Sequence, residues 1–421
     1  MDSSQCDVVS AGTADNVDAA DAPKVADAAL HGIRVLDVTQ VMAGPFCAMQ
    51  LCHMGAYEIK VEPPEGDSTR RKAGRVGTDS PSFNAVNRGK RGIVLDLNTV
   101  RAREAFRRLA ARSDILIENY RPGVMQAFGL DYASLATDNP RLIYASISGY
   151  GQTGPNRSKG GFDLVAQGVS GLMSVTGEKG GPPVKVGIPI TDLGAALFAV
   201  SAILAALHYR SRTGLGQYID TSLVDAGVAL SVWEATEYFS GERVPEPMGS
   251  AHRLSAPYQA VACADGYITI AAANDRLFQR LCNLLERPQW LSDPDYVDDP
   301  ARVRNRARLT RDIEAVTCRE PRAHWIALFD THGLPCGPIN DYQQVFDDEH
   351  VRARGLVVET NHPSLGRIRT LGSPIKMSRT PPVTGRPAPR LGEHTREVLR
   401  EVGLGEDDPG DDVGDVGGVR P

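Results

Sequence analysis

Short apolar runs alternate with amphipathic stretches between residues 32 and 151 of the chain. Apolar runs that stop at glycine, proline or a polar cluster predict buried strands at residues 32–39, 56–64, 91–97, 114–120 and 141–151. Helices are predicted between them at 43–54 and 100–113, and the second has Ala105, Phe106, Leu109 and Ala110 on its inner face. This alternation predicts a parallel, doubly wound α/β sheet that binds its ligand beyond the carboxyl ends of the strands.

The pattern changes near residue 225. Residues 252–274 predict antiparallel strands around an Asp-Gly turn, and helical patterns follow at 274–291 and 307–333. We therefore predict three folded segments: a Rossmann-like large domain at 31–225, a smaller α+β domain at 226–334, and a return to the large domain at 335–400.

Charge is distributed unevenly along the 421 residues, whose net charge is −6. The first 30 residues carry −5 and the last 21 carry −6, and both segments are poor in aromatic residues. We therefore predict disordered acidic tails at 1–30 and 401–421. The rest of the chain carries about +5, which is too little for a nucleic-acid binder but suits a small ligand that bears phosphate.

The sequence contains no pattern that indicates a membrane-spanning segment, a metal site or a secretion signal. The most apolar stretch, 193–208, is short for a bilayer span, and the N-terminus has no secretion signal. The seven cysteines are scattered, and the nine histidines form no cluster with ligand spacing. We therefore expect a cytoplasmic protein with no membrane partner, no metal and no tightly bound cofactor.

Two glycine-rich segments are candidates for ligand binding. GYGQTG at 149–154 matches a dinucleotide fingerprint, but PNRSKGG follows where that fingerprint requires a helix, so we interpret it as a flexible loop. GPPVKVGIPITD at 181–192 ends in Asp192 and leads into a long apolar helix. Asp192 fits the N-cap of that helix, where the helix dipole favours the anionic carboxylate. Such a carboxylate, facing a glycine-rich loop, is also a competent nucleophile toward an acyl group.

Several further motifs occur in an order and spacing that together are specific to one family. They include GIRVLDVTQVMAGP at 32–45, NRGKRGIVLDL at 87–97, DILIENYRPGVM at 114–125 and LIYASISGYGQTGP at 142–155. With the Asp192 segment, they make the chain resemble the family III CoA-transferases, the CaiB/BaiF group that includes formyl-CoA transferase, carnitine CoA-transferase and α-methylacyl-CoA racemase. The resemblance spans about residues 32–380. It implies an interlocked homodimer of two ring-like subunits.

The resemblance also implies a reaction. The catalytic aspartate of the family corresponds to Asp192, which attacks an acyl-CoA thioester and forms an acyl-aspartyl anhydride. The CoA thiolate then converts the anhydride into an aspartyl-CoA thioester, and a carboxylic acid acceptor reverses these steps. The implied partners are an acyl-CoA and a carboxylic acid, with the CoA thioester as substrate.

Contacts to CoA can be carried over where the motifs match. Val41, Met42 and Ala43 lie in the first strand–helix loop, which lines the CoA site in relatives. Leu95 matches a leucine on the adenosine side. Asn119 matches the asparagine of the family's V/I-E-N motif, and Tyr120 follows where an aromatic residue is usual.

The phosphate-binding cations of the family do not carry over. Pro63 and Ala127 stand where formyl-CoA transferase has arginines, so other cations must bind the phosphates. The candidates are Arg70, Arg71, Arg88, Lys90, Arg91 and Arg121. Of these, we include Arg70 and Arg121 in the predicted CoA-binding site.

Two features bear on the branch of the family. Phe162 occupies the position of the racemase histidine, and phenylalanine cannot exchange a proton, so CoA transfer is favoured over racemisation. The stretch GSAHRLSAPYQ at 249–259 looks most like the succinyl-CoA branch, whose acceptors are dicarboxylates, and His252 or Arg253 could pair with a second carboxylate. An α-methylacyl-CoA racemase and a non-catalytic acyl-CoA-binding protein stay as alternatives.

Overall fold

The computed structural model describes residues 28–77, 79–241 and 243–404. The predicted acidic tails therefore lie outside the described residues, except for 28–30 and 401–404. The strands are β1 (Arg34–Asp37), β2 (Tyr57–Glu62), β3 (Arg91–Val94), β4 (Ile115–Glu118), β5 (Ile143–Ser148), β6 (Tyr218–Ser222), β7 (Tyr258–Cys263), β8 (Gly266–Ala271), β9 (Cys336–Pro338), β10 (Val357–His362) and β11 (Gly366–Leu371).

The helices connect and cover these strands. They are α1 (Ala43–His53), α2 (Pro81–Asn87), α3 (Val100–Ala111), α4 (Val124–Ala127), α5 (Tyr132–Asp138), α6 (Asp163–Val169), α7 (Leu172–Val175), α8 (Ile190–Thr213), α9 (Leu223–Leu230), α10 (Val232–Gly241), α11 (Asp275–Leu284), α12 (Asp299–Arg304), α13 (Arg306–Thr317), α14 (Arg322–Thr331), α15 (Tyr342–Asp347), α16 (Glu349–Ala353) and α17 (Thr395–Glu401). Short 3₁₀ helices occupy Ser68–Arg71 and Pro288–Ser292.

Six parallel strands form the large sheet, in the order β3-β2-β1-β4-β5-β6. Neighbouring strand residues point to opposite faces: Val35 packs with α1 and α8, whereas Leu36 packs with α3 and α17. The sheet is therefore covered by helices on both faces, and the predicted doubly wound α/β architecture is confirmed.

The five predicted strands are present and somewhat shorter than predicted, whereas β6 was not predicted. This strand lies at the edge of the sheet and pairs with β5, and its residues alternate between exposed and more buried. Its sequence, YIDTS, has few apolar residues because an edge strand buries little of its surface, and the pattern is correspondingly weak.

The smaller unit is built on an antiparallel sheet in the order β7-β8-β9. The predicted hairpin is present, with Ala264 and Asp265 at the turn between β7 and β8. Its hydrophobic core extends from Ala256 to Leu334. Farther along, Val398 of the predicted return segment joins the core of the large sheet, as do Val402 and Leu404, which lie inside the predicted acidic tail.

Among the described residues, one helix, α8, is long and apolar enough to span a membrane, judged by length and composition. It has 24 residues and is longer than the 193–208 stretch that the sequence pattern suggested. The core helix of a water-soluble protein passes the same test. In this chain α8 packs against α1, α9, β5 and β6.

Candidate active site

Asp192 lies in the first turn of α8. The N-cap residue of this helix is Pro189, and no side chain of the N-cap accepts a hydrogen bond there. The prediction that Asp192 is the N-cap is therefore wrong, because the helix already begins at Ile190. The carboxylate does stand at the start of the helix, directly after the glycine-rich segment.

The carboxyl group of Asp192 is half-buried and unpaired. Among the residues that the structure describes, it makes no hydrogen bond and no ion pair. Burial, and then the negative charge of Asp163, raise the pKa of Asp192 to about 7. The helix dipole favours the anion, but burial outweighs it, so the expected preference for the anionic form is corrected.

Asp163 holds the residue next to Asp192. It is the first residue of α6, and its Oδ1 accepts hydrogen bonds from the backbone N–H of Thr191 at 3.0 Å and from the Thr191 hydroxyl at 2.8 Å. Asp163 thereby satisfies a backbone donor in the first turn of α8 that the N-cap leaves open. Sequence reasoning missed this role, although Asp163 follows directly on Phe162, which it did consider.

The first strand–helix loop carries Val41, Met42 and Ala43. Val41 has a φ of 71°, a left-handed conformation that is unusual for a β-branched residue. Its backbone N–H donates to Asp67 Oδ2 at 3.1 Å, and its side chain is 38% exposed. The loop therefore presents an unusual backbone to solvent at the carboxyl end of β1.

Asn119 holds the same loop rather than extending into solvent. Its Oδ1 accepts from the Gln40 N–H at 2.8 Å, and its Nδ2 donates to the Gln40 carbonyl at 2.7 Å. These two bonds use the Asn119 side chain to support the loop, and its direct contact with CoA stays a prediction. Tyr120, the next residue, is half-buried, and burial raises the pKa of its hydroxyl.

Leu95 and Arg70 are less accessible than a ligand contact requires. Leu95 is 7% exposed and belongs to the core of the large sheet. Arg70 is 2% exposed, and its guanidinium bonds Glu62 twice at 2.7 Å and Asp79 at 3.0 Å. The predicted phosphate contact of Arg70 is therefore corrected, because its donors serve buried carboxylates.

Most of the other predicted cations also have protein partners. Lys90 is buried between Asp37 and Glu58, at 2.8 and 3.0 Å. Arg88 is buried and bonds Thr370, and Arg91 pairs with Glu397 and Glu401. Arg71 donates to the Glu65 carbonyl at 2.9 Å but is exposed, as is Arg121, so both stay candidates for binding phosphate.

Neither predicted partner of a second substrate carboxylate is free. Arg253 is paired with Glu234 at 3.3 Å and with Glu237 at 2.9 Å. The ring of His252 is stacked on Tyr258, with ring centroids 4.8 Å apart, and meets Trp233 edge-on. As placed, both side chains therefore hold the segment at 252–258 against α10.

The GYGQTG segment forms an irregular loop. Residues 149–162 contain no helix, so the loop interpretation of GYGQTG is confirmed over the dinucleotide fingerprint. In the described part of the chain, no group of three or more His, Cys, Asp or Glu side chains could hold a metal ion.

Comparison with known proteins identifies the family. A profile described as CoA-transferase family III matches residues 30–395. The chain belongs to CoA-transferase family III. It is 41% identical over 375 residues to succinyl-CoA:glutarate CoA-transferase from Mus musculus, a match that covers 89% of this chain and 86% of the relative. The resemblance predicted from the motifs is therefore confirmed.

Two further relatives are similar over nearly the whole chain. Succinyl-CoA:mesaconate CoA-transferase from Haloarcula hispanica is 40% identical over 395 residues, covering 90% of this chain and 97% of the relative. A CAIB/BAIF family protein from Brucella suis, whose crystal structure is known, has 38% sequence identity to this chain. The two structures match with a TM-score of 0.79 over 89% of this chain and all of that chain. The protein is thus a family III CoA-transferase, an enzyme class whose substrates are CoA thioesters.

The raised pKa of Asp192 leads to a testable pH dependence. If its carboxylate is the nucleophile, kcat/KM for the acyl-CoA is expected to rise with pH around about pH 7 and to level off above it, because only the ionised form attacks. Steady-state rates between about pH 5.5 and 9 measure this midpoint. Asp163→Asn removes the neighbouring charge and should lower the midpoint. A flat profile across the range would contradict the assignment.

Proposed function

We propose that this CoA-transferase moves CoA from succinyl-CoA to a dicarboxylic acid, with Asp192 as the covalent nucleophile. The observation that carries the proposal is a partly buried carboxylate without a protein partner, held at the start of α8 directly after a glycine-rich loop. The relatives named for succinyl-CoA, glutarate and mesaconate support the choice of substrates.

The first half of the reaction forms an enzyme-bound thioester. A carboxylate oxygen of Asp192 attacks the thioester carbonyl carbon of succinyl-CoA, and the C–S bond breaks to give a succinyl-aspartyl anhydride and CoA thiolate. The thiolate then attacks the side-chain carbonyl carbon of Asp192. Succinate leaves with one oxygen of Asp192, and an aspartyl-CoA thioester remains.

The second half repeats these steps in reverse with the acceptor. A carboxylate of the acceptor attacks the aspartyl-CoA carbonyl, releases CoA thiolate and forms a new anhydride. The thiolate attacks the acyl carbon of the acceptor, which yields the product thioester and restores Asp192 with one oxygen from the acceptor. No proton is gained or lost, and the thioester bond is conserved throughout.

The surroundings of Asp192 suit these steps. Burial makes the carboxylate less hydrated and therefore more reactive toward the thioester, and the same burial limits access of water to the anhydride. Backbone N–H groups of the glycine-rich loop could bind the oxyanion that forms on attack. Above the pKa of about 7 the nucleophile is ionised without a separate general base.

We place CoA along the first strand–helix loop. Val41 and Met42 would line the thioester arm, supported from behind by Asn119, and Tyr120 would pack against the ligand. Ala43 would contribute at most its edge, since 3% of it is exposed. The exposed guanidinium groups of Arg71 and Arg121 are the proposed phosphate contacts. Leu95 would contribute at most the edge of its side chain, since 7% of it is exposed.

We also propose that the enzyme is a cytoplasmic homodimer. Large apolar side chains are exposed on α8, α9 and α10, among them Leu197, Phe198, Val228, Trp233 and Phe239. A second copy of the chain is the occupant that the family resemblance indicates for such a surface. The cysteines of the described residues are free thiols, which agrees with a reducing compartment.

A panel of acids tests the substrate class. With succinyl-CoA as donor, glutarate is expected to accept CoA at least about 100-fold more efficiently than pentanoate. In a site that binds a second carboxylate, the polar group that pairs with it is left without a partner when the monoacid binds. Product thioesters are measured by mass spectrometry. Equal rates for the two acids would contradict the dicarboxylate proposal. Deuterium exchange at the α-carbon without any transfer would favour the racemase alternative.

A further inference from the structure

A buried pair of side chains holds the segment that carries the nucleophile. Gln167 and Asp163 lie on the same face of α6, four residues apart, and Gln167 is fully buried. Gln167 Nε2 donates to Asp163 Oδ2 at 2.7 Å, so the two side chains form one unit. We call this unit the α6 clamp.

The α6 clamp contacts three successive parts of the segment before Asp192. Gln167 Oε1 accepts from the Val186 N–H at 2.9 Å, and Gln167 Nε2 also approaches the Ile188 carbonyl at 3.4 Å. Asp163 Oδ1 accepts from both the backbone N–H and the hydroxyl of Thr191. The clamp therefore spans residues 186–191 and ends one residue before the nucleophile.

The segment needs this external support. It contains Pro189, which has no N–H, and the first turn of α8 has no side-chain cap from its own N-cap residue. Asp163 supplies the missing acceptor from another helix, and Thr191 is fully buried beneath it. The start of α8, and with it the direction of the Asp192 carboxylate, depends on these contacts.

We propose that Gln167 and Asp163 are positioning residues, which set the angle at which Asp192 attacks the thioester. This inference rests on the proposed function of Asp192. A displacement of about 1 Å in a reacting group costs on the order of 100-fold in rate, because the attacking atom leaves the near-attack geometry. The α6 clamp acts on the reacting carboxylate and not on the CoA-binding loop, so its loss should lower kcat more than it raises KM.

The donor and acceptor pattern of the α6 clamp allows a rescue experiment. Asp163→Asn keeps an oxygen for Thr191 but places an amide N–H₂ opposite the N–H₂ of Gln167. Gln167→Glu keeps an oxygen for Val186 but places a carboxylate opposite the Asp163 carboxylate. The double variant restores a donor–acceptor pair between positions 163 and 167, at unchanged total charge and nearly unchanged volume.

The expected result is a loss in each single variant that the double variant recovers. At about pH 8.5, where Asp192 is ionised, each single variant should lose about 10- to 100-fold in kcat, with KM for succinyl-CoA within about threefold. The double variant should regain at least about tenfold over the weaker single variant. Asp138→Asn and Gln289→Glu make the same chemical changes at exposed positions and should retain wild-type kinetics.

Three outcomes would count against the α6 clamp. Single variants with wild-type kcat, an effect confined to KM, or a double variant no better than the single variants would each overturn it. Thermal unfolding of every variant is measured alongside, since a purely structural role lowers Tm without separating kcat from KM. A wild-type enzyme that transfers no CoA would instead overturn the proposed function, so the two failures are distinguishable.

Discussion

Replacing Asp192 with alanine is expected to lower the rate of CoA transfer by at least about 10⁴-fold while the protein stays folded. The reason is that both covalent intermediates form on this side chain. Among the described residues, Asp163 is the one other carboxylate beside the start of α8, and it is bonded to Thr191. Transfer from succinyl-CoA, followed by mass spectrometry of the product thioester, measures the loss. Near-normal turnover would show that the nucleophile lies elsewhere.

Asp192→Asn is the matched control for folding. Because the folded-state pKa of Asp192 is raised to about 7, ionisation of this carboxyl destabilises the wild-type protein as pH rises through that value. The asparagine variant should therefore be more stable than wild type by about 1 to 3 kcal/mol near pH 8. The gain should shrink to below about 1 kcal/mol as pH falls toward about 4, which is close to the pKa of the carboxyl in the unfolded chain. Thermal unfolding at the two pH values measures it.

Replacing Arg70 with methionine is expected to destabilise the fold by about 3 to 5 kcal/mol. The change leaves Glu62 and Asp79 buried without their cation, and it removes the guanidinium that lies over the Phe83 ring at 3.6 Å. Thermal unfolding and soluble yield should fall. KM for succinyl-CoA in the folded fraction should change by less than about threefold, since Arg70 is not a phosphate contact in this account.

Arg71→Met is the control for this prediction, because Arg71 is the exposed neighbour of Arg70. Its stability should stay within about 0.5 kcal/mol of wild type, whereas KM for succinyl-CoA should rise if it binds a phosphate. A stable Arg70→Met protein with a strongly raised KM would contradict the buried ion pair as the main role of Arg70.

The periodicity of the sequence predicted the large sheet because each central strand buries both faces. Val35 and Leu36 pack against helices on opposite sides, so the apolar run of β1 is continuous and easy to recognise. The edge strand β6 escaped prediction since its exposed residues leave little apolar pattern. The fold class could therefore be predicted from the apolar patterns of the strands that are buried on both faces.

The site was predicted less evenly than the fold. Motif spacing singled out Asp192, but it could not show that burial raises the carboxyl pKa or that Asp163 lies beside it. Asn119 was assigned to the ligand because its motif matches the family, and Arg70 was assigned because the phosphate-binding arginines of the family are replaced in this chain. In the structure their partners are Gln40 and Glu62, and such long-range or buried pairings are not encoded in local spacing.

An oxygen label tests the central claim, that Asp192 forms the covalent intermediates. The acceptor acid is prepared with oxygen-18 in its carboxylates, and the enzyme is recovered after turnover with succinyl-CoA and digested. The mechanism predicts that the peptide containing residue 192 becomes heavier by about 2 Da after a single turnover and by up to about 4 Da after many, because each turnover leaves one acceptor oxygen on the aspartate. Transfer of CoA to the labelled acid without any label in that peptide would contradict the account.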